Sequence, residues 1–226
     1  QWLSNASGQK NEKIFRGAMV NGIVTSAQEH GTAIQAFEKN LCRDCNNGLG
    51  SILESPVSAL LKPRIEGKFT GLNGLRDDQR HLITWWAVLH TIEHDYLENR
   101  LEAEAKTELL KNLGRLLIGE KLTPPPDLHV HIAIGKHSEW AFFISKQLLD
   151  RERGSVQTAG SFFWAMQAKH LILVAVRTPK EARLETSRGW GLAIHPSTQT
   201  AIQVYDDIRS FVTESKIDTR RRTAGT

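Results

Sequence analysis

Between Lys13 and Val24, and again between Gly31 and Leu41, Ile, Val, Phe and Thr recur in short runs separated by Gly22, Ser26 and Gly31. β-Branched and aromatic runs bounded by small residues predict two extended segments joined as a hairpin. From Ser51-Ile52-Leu53-Glu54 through Leu60-Leu61 the apolar groups move to helical spacing, and Lys62-Pro63 supplies a stop because proline breaks the helical ladder. Gly67 to Gly74, with three glycines, predicts a loop. From Asp77 the pattern turns strongly helical: Leu82, Trp85, Trp86, Leu89, Ile92, Glu93 and Tyr96 are spaced to form one broad stripe. A second helix is predicted from about Glu104 to Gly119, carrying Leu109, Leu110, Leu113, Leu116 and Leu117 on one side, with Gly119 as its C-terminal stop.

Pro124-Pro125-Pro126 closes the helical half. Beyond it, Leu128 to Ile134, Trp140 to Ile144, Ser161 to Gln167, Leu171 to Val176 and Gly191 to Ile194 are short β-branched or aromatic runs divided by turn residues, which predict an antiparallel sheet. Helices grouped before strands indicate an α+β fold and not a doubly wound sheet. The expected organisation is an N-terminal ββα-like region over residues 1–66, a helix pair with an antiparallel sheet over residues 75–212, and a basic tail over residues 213–226.

Composition narrows the class. With 40% apolar and 24% charged residues in 226, the chain has enough apolar surface for ordinary hydrophobic cores, so a disordered chain is not expected. No apolar run reaches the length of a membrane span, the run ending at Val176 being broken at Arg177. The sequence opens on Gln1-Trp2-Leu3, without an initiating Met or the basic start and apolar stretch of a signal peptide, and it reads as the inside of a longer protein. Two cysteines make no disulfide framework and point to a reducing, cytoplasmic setting. The net charge of +4 is compatible with a polyanionic partner without arguing for one. Arg220, Arg221 and Arg222, with Lys216, supply much of that excess and read as a solvated, frayed tail, or alternatively as a phosphate contact.

The candidate chemistry begins at Cys42 and Cys45. Two thiolates separated by two residues can turn toward one metal, and tetrahedral zinc needs two more ligands. A redox pair is a lesser alternative, because Asn46-Asn47-Gly48 after the second cysteine suits a left-handed turn and not the entry to a βαβ unit. A pair of reduced cysteines in a tight turn is the other alternative.

The stretch Leu41-Cys42-Arg43-Asp44-Cys45-Asn46-Asn47-Gly48-Leu49-Gly50-Ser51-Ile52-Leu53-Glu54 resembles the second knuckle half of an HNH-endonuclease-like family of bacterial proteins, which typically reads C-x-x-C-N-N-G-W-x-S-x-L-E. This sequence departs at Leu49, where the family has Trp. Gln1-Trp2-Leu3 resembles the end of that family's upstream element, and on that reading the first C-x-x-C and the key His precede residue 1. The resemblance covers about Gln1 to Pro63, and more faintly the Trp85-Trp86-Ala87 helix. It implies a ββα-metal fold with structural zinc on Cys42 and Cys45, and a catalytic Mg2+ or other divalent cation over the scissile phosphate of a nucleic acid, DNA before RNA. Asn46 matches the third letter of the HNH motif and is the candidate catalytic residue. Arg43, Arg220, Arg221 and Arg222 are the candidate nucleic-acid contacts. The middle Asn of the motif has Phe37 in its place, and Glu54 matches the family's acidic helix position, where a surface or capping role is equally compatible.

Two further patterns compete. His90-Thr91-Ile92-Glu93-His94 matches the inverted zinc-protease motif, but Glu139, Glu152, Glu181 and Glu185, the downstream candidates for a third ligand, fall in strands or loops. The expected outcome is that these residues sit on or beside a partly buried helix face. His129 and His131 alternate in a strand, as in a metal site or a polar sheet face. Trp140, Phe142, Phe143, Phe162, Phe163 and Trp164 are expected to pack in the core and not to stack on bases. An endonuclease or nuclease-derived binding protein is therefore the first expectation, a non-catalytic protein-interaction module with a structural knuckle the second, and a zinc metalloprotease the third.

Overall fold

The computed structural model describes residues 13–20, 23–32, 48, 52–69, 74–98, 103–117, 119–145, 162–177, 182–186, 191–196, 201–214 and 217–221, with side chains described for part of these. Strands β1 (Lys13–Val20) and β2 (Ile23–Thr32) precede three helices, α1 (Ser55–Ile65), α2 (Asp77–Glu98) and α3 (Ala103–Leu117). Then come β3 (Leu128–Ser145), β4 (Phe162–Arg177), β5 (Ala182–Thr186), β6 (Leu192–His195), β7 (Val204–Tyr205), α4 (Ile208–Glu214) and β8 (Ile217–Arg221). The fold is α+β with a mainly antiparallel sheet. No helix among the described residues is long and apolar enough to cross a membrane.

Six strands form one sheet in which β2, β1, β3 and β4 lie in that order, while β6 and β7 also pair with β3. The long strand β3 therefore has β4 along one edge and three partners in succession along the other. Two of its pairings, with β1 and β7, are parallel; those with β4 and β6 are antiparallel. The β1–β2 hairpin closes at Val20 opposite Ile23, across the Asn-Gly step at positions 21–22, a residue pair favoured in two-residue hairpin loops. The hairpin thus turns earlier than expected. Of the expected separators, Ser26 and Gly31 lie within β2, while Gly22 and most of the expected second strand, residues 33–41, are outside the described residues.

Four expected strands are in fact two. β3 runs through the predicted break because a bulge between Ile134 and Glu139 absorbs the extra polar residues, and β4 runs through its own break with Lys169 in the left-handed region at φ 51°. At the helix ends, Pro63 does not stop α1, which continues to Ile65. The stop is Gly67 at φ 86°, where Gly67 N–H donates to Arg64 O (3.0 Å) and Lys68 N–H to Pro63 O (2.8 Å), the paired bonds of a Schellman cap. Gly119, also at φ 86°, ends α3 in the same way, as its position predicts, with Glu120 N–H donating to Arg115 O.

Helix α2 starts with Asp77 and Asp78 in its first turn, where carboxylates oppose the positive end of the helix dipole, and Gln79 Oε1 accepts from Arg76 N–H at 3.0 Å. From Ile83 to Leu89 every residue is buried, so the middle of this helix is enclosed on all sides and does not carry a single stripe. Thr84 tolerates this because its hydroxyl donates to Arg80 O at 2.9 Å. Helix α3 buries Leu109 and Leu113 but leaves Leu110 38% exposed, narrowing its expected apolar face.

Two cores flank the sheet. One collects Val57, Leu61 and Ile65 of α1, the centre of α2, and Val130, Ile132, Leu171 and Leu173 from β3 and β4. The opposite face carries Phe163, Ala165, Ile172, Val174 and Val176, joined by Tyr205 and by Ile208 and Phe211 of α4. Phe163 stacks on Phe211 with their planes 7° apart, and Tyr205 meets Phe211 edge-on. Outside the main sheet, β5 and β8 form a two-stranded antiparallel ribbon. The backbone of Arg220 and Arg221 is therefore in a paired strand, which corrects the expectation of a frayed tail.

Candidate functional site

Cys42, Arg43, Cys45, Asn46 and Arg222 lie outside the described residues, and Arg220 and Arg221 are described as strand positions without their side chains. The elements around the thiol pair are described on both sides. Ahead of it stands the β1–β2 hairpin. Behind it, Gly48 is half-buried, a Cβ built on it would meet no atom within 4 Å, and residues 52–54 form a π-helical turn that runs into α1. Glu54 occupies the N-cap position of α1 with helical backbone angles and no capping hydrogen bond from its side chain, so the cap role is not realised. Leu53 is fully buried and anchors the entry of α1 to the helical core.

The His-x-x-Glu-His segment lies in α2. His90 stands edge-on to Trp86 with ring centroids 4.2 Å apart and faces Trp164 of β4 at 6.4 Å, between two indoles at the sheet-facing side of the helix. Trp164 Nε1 donates to the Thr91 hydroxyl at 3.1 Å in the same buried layer. Glu93 and His94 lie in the helix, their side chains outside the described ones. His90 thus occupies the partly buried position expected of a core histidine. Phe163 and Trp164 are fully buried, as the core expectation requires; Trp140, Phe142, Phe143 and Phe162 have side chains outside the described ones.

His129 and His131 gather partners that sequence reasoning missed. Alternation along β3 puts both on the sheet face opposite the large helical core, since Leu128, Val130 and Ile132 between and around them belong to that core. Strand β6 sets Ala193 opposite His131 and His195 opposite Val130 across a register shift, bringing His195 alongside. His195 Nε2 donates to Pro125 O at 3.0 Å, which defines the neutral tautomer with the proton on Nε2. Close by, Asp127 accepts from Arg177 Nε at 2.8 Å, with side chains only 14% and 12% exposed.

Burial dominates the electrostatics of this seam. It pushes His129 down to about 4, with His195 adding repulsion and Asp127 partly opposing it. Burial also pushes His131 down to about 4, with His129 adding to the shift and a hydrogen bond to the Gly191 backbone opposing it. His195 is lowered by burial, against the Pro125 hydrogen bond, with His81 of α2 adding repulsion and Asp127 favouring the charge. At neutral pH these imidazoles are uncharged. Only the His-x-His alternation was visible beforehand; His195 lies far along the chain in a strand whose register decides its neighbours.

Among the described residues no group of three or more His, Cys, Asp or Glu side chains is placed to hold a metal ion. The thiol pair lies outside that set, so the zinc expectation rests on its spacing and its flanking elements. No known protein family, curated protein or solved structure matches the chain.

Proposed function

We propose that this chain carries the cysteine-pair half of an HNH-like ββα-metal element and acts as a metal-dependent endonuclease, or as a nucleic-acid-binding protein derived from one, in a reducing cytoplasmic setting. The observation that supports this reading is one of order. A closed antiparallel hairpin, then Cys42-x-x-Cys45-Asn46-Asn47-Gly48, then a helix anchored by Leu53 follow each other along the chain. Cys42 and Cys45 would donate two thiolates to a structural zinc, and Asn46, next to the second thiolate, would be the catalytic residue that orients the site or approaches the catalytic metal. Arg43, between the cysteines, would meet a phosphate. A bound hard cation such as Mg2+ supplies the charge that stabilises the phosphate and the leaving oxygen during hydrolysis.

One observation favours a second reading. Strand β1 pairs with β3 and α1 packs on β4, so the elements flanking the thiol pair are built into the same sheet and core as the C-terminal strands. A knuckle so embedded suits a purely structural zinc in a module that binds another protein.

Metal analysis of the intact protein beside Cys42→Ser and Cys45→Ser separates these. One zinc per chain, lost in both variants, supports the knuckle, and cleavage of plasmid DNA with Mg2+ or Mn2+ that Asn46→Ala abolishes supports the nuclease. Zinc without cleavage and without DNA binding favours the structural module. No zinc in any form removes both.

A further inference from the structure

Pairing of β8 with β5 brings together cations that are far apart in sequence. Arg220 stands opposite Arg183, Arg221 opposite Ala182, and Glu185 opposite Asp218. Positions directly opposite in an antiparallel pair share a face, and positions two apart on one strand share it as well. Arg183 and Arg220 therefore fall on one face at one end of the ribbon, while Glu185 and Asp218 follow on that face toward the other end and Arg221, one position on, falls on the other face.

This register sets like charge against like charge, which weakens a strand pair. A slip of two residues would set Arg183 opposite Asp218 and Glu185 opposite Lys216, two complementary pairs. The observed register forgoes both and sorts the ribbon into a cationic end and an acidic end. A polyanion lying across the cationic end would offset this like-charge register. The major groove of B-form DNA admits a two-stranded ribbon, whereas that of an RNA duplex is too narrow and deep.

We infer that the Arg183–Arg220 face at this end of the β5–β8 ribbon binds the phosphate backbone of duplex DNA. The inference rests on the nucleic-acid reading above and adds a contact surface, with Arg183 as a member that the basic run at positions 220–222 did not reveal. Such contacts position the protein and do not read sequence.

The test is binding of the intact protein to short labelled DNA duplexes of two unrelated sequences, by fluorescence anisotropy over a salt series. Arg183→Gln and Arg220→Gln are each expected to weaken both duplexes alike, by roughly five- to tenfold at 0.1 M salt, and to make the logarithmic salt slope shallower by about 0.9. Without DNA, the thermal midpoint of Arg183→Gln should hold or rise, because a repulsion is removed; an arginine with a merely structural role would lower it. If the wild type binds duplex DNA and Arg183→Gln leaves affinity and slope unchanged, this surface is wrong while the nucleic-acid reading stands. If, in the same titration with a labelled single-stranded RNA of equal length, the variants weaken the RNA and not the duplexes, the assignment to duplex DNA is overturned. If the wild type binds no nucleic acid, both fall together.

Discussion

The carboxamide of Gln167 fills the space that a side chain at Gly135 would need: a Cβ built on Gly135 would lie 2.5 Å from Gln167 Nε2. The amide is held there by three hydrogen bonds. Nε2 donates to His137 O (2.8 Å) and Lys169 O (2.7 Å), and Oε1 accepts from Ile208 N–H (2.6 Å). One buried residue thus ties the β3 bulge, the left-handed Lys169 and the first turn of α4 together. Gly135→Ala should destabilise by about 1–3 kcal/mol, because the amide cannot swing away without breaking these bonds. Gln167→Ala should cost about 3 kcal/mol or more through stranded backbone groups, and the double variant should cost less than the sum. Urea unfolding of the four proteins checks this; strict additivity would mean the two residues do not interact.

Acid should loosen the histidine seam. His129 and His131 titrate near 4 in the folded protein against 6.5 as the ordinary value, so between those limits the unfolded chain binds more protons and stability rises with pH. The stabilisation is complete above 6.5 and is lost as pH falls toward 4, by roughly 3 kcal/mol for each group. Denaturant midpoints measured from pH 7 to pH 4 should drop steeply, and His129→Gln should flatten the drop. An unchanged slope in that variant would place the pH dependence elsewhere.

The Asp127–Arg177 pair is nearly enclosed, yet Arg177 Nη1 is buried without a hydrogen-bond partner among the described residues. Removing one partner leaves a charge with little solvent, so Arg177→Met alone should cost about 3–5 kcal/mol. Arg177→Met with Asp127→Leu should recover most of that loss, because the incomplete hydrogen bonding gives the pair little net advantage over apolar side chains. Thermal melts at neutral pH discriminate; a double variant as unstable as the single would show that the pair is worth its desolvation.

Two left-handed glycines should respond very differently to alanine. At Gly119 a Cβ meets nothing within 4 Å, so Gly119→Ala should cost only the backbone strain, about 1–2 kcal/mol. At Gly191, φ 107°, the Cβ would lie 2.2 Å from Ile132 O and 2.9 Å from its carbonyl carbon, atoms of the central strand. Gly191→Ala should therefore displace β6 from β3 and lower the melting temperature much further than Gly119→Ala. Comparable melts for the two would refute the close approach.

Local signals along the chain determined the element types. The spacing of Trp85, Trp86, Leu89 and Ile92 specifies a helix, Gly119 ends one, and the β-branched runs from Leu128 to Val176 specify strands, because helical and extended periodicities are properties of neighbouring residues. The same is true of the candidate chemistry of the cysteine pair, which is a matter of spacing alone. Tertiary structure decided what neighbours could not. It joined the strands on either side of Gly135 into one, with the Gln167 amide bonded across the bulge. It paired β1 with β3 across most of the chain, and set His195 beside His129 and Arg183 opposite Arg220. Each of these depends on register between distant segments, and register is chosen by the summed burial of whole faces and not by any stretch of sequence that can be read locally.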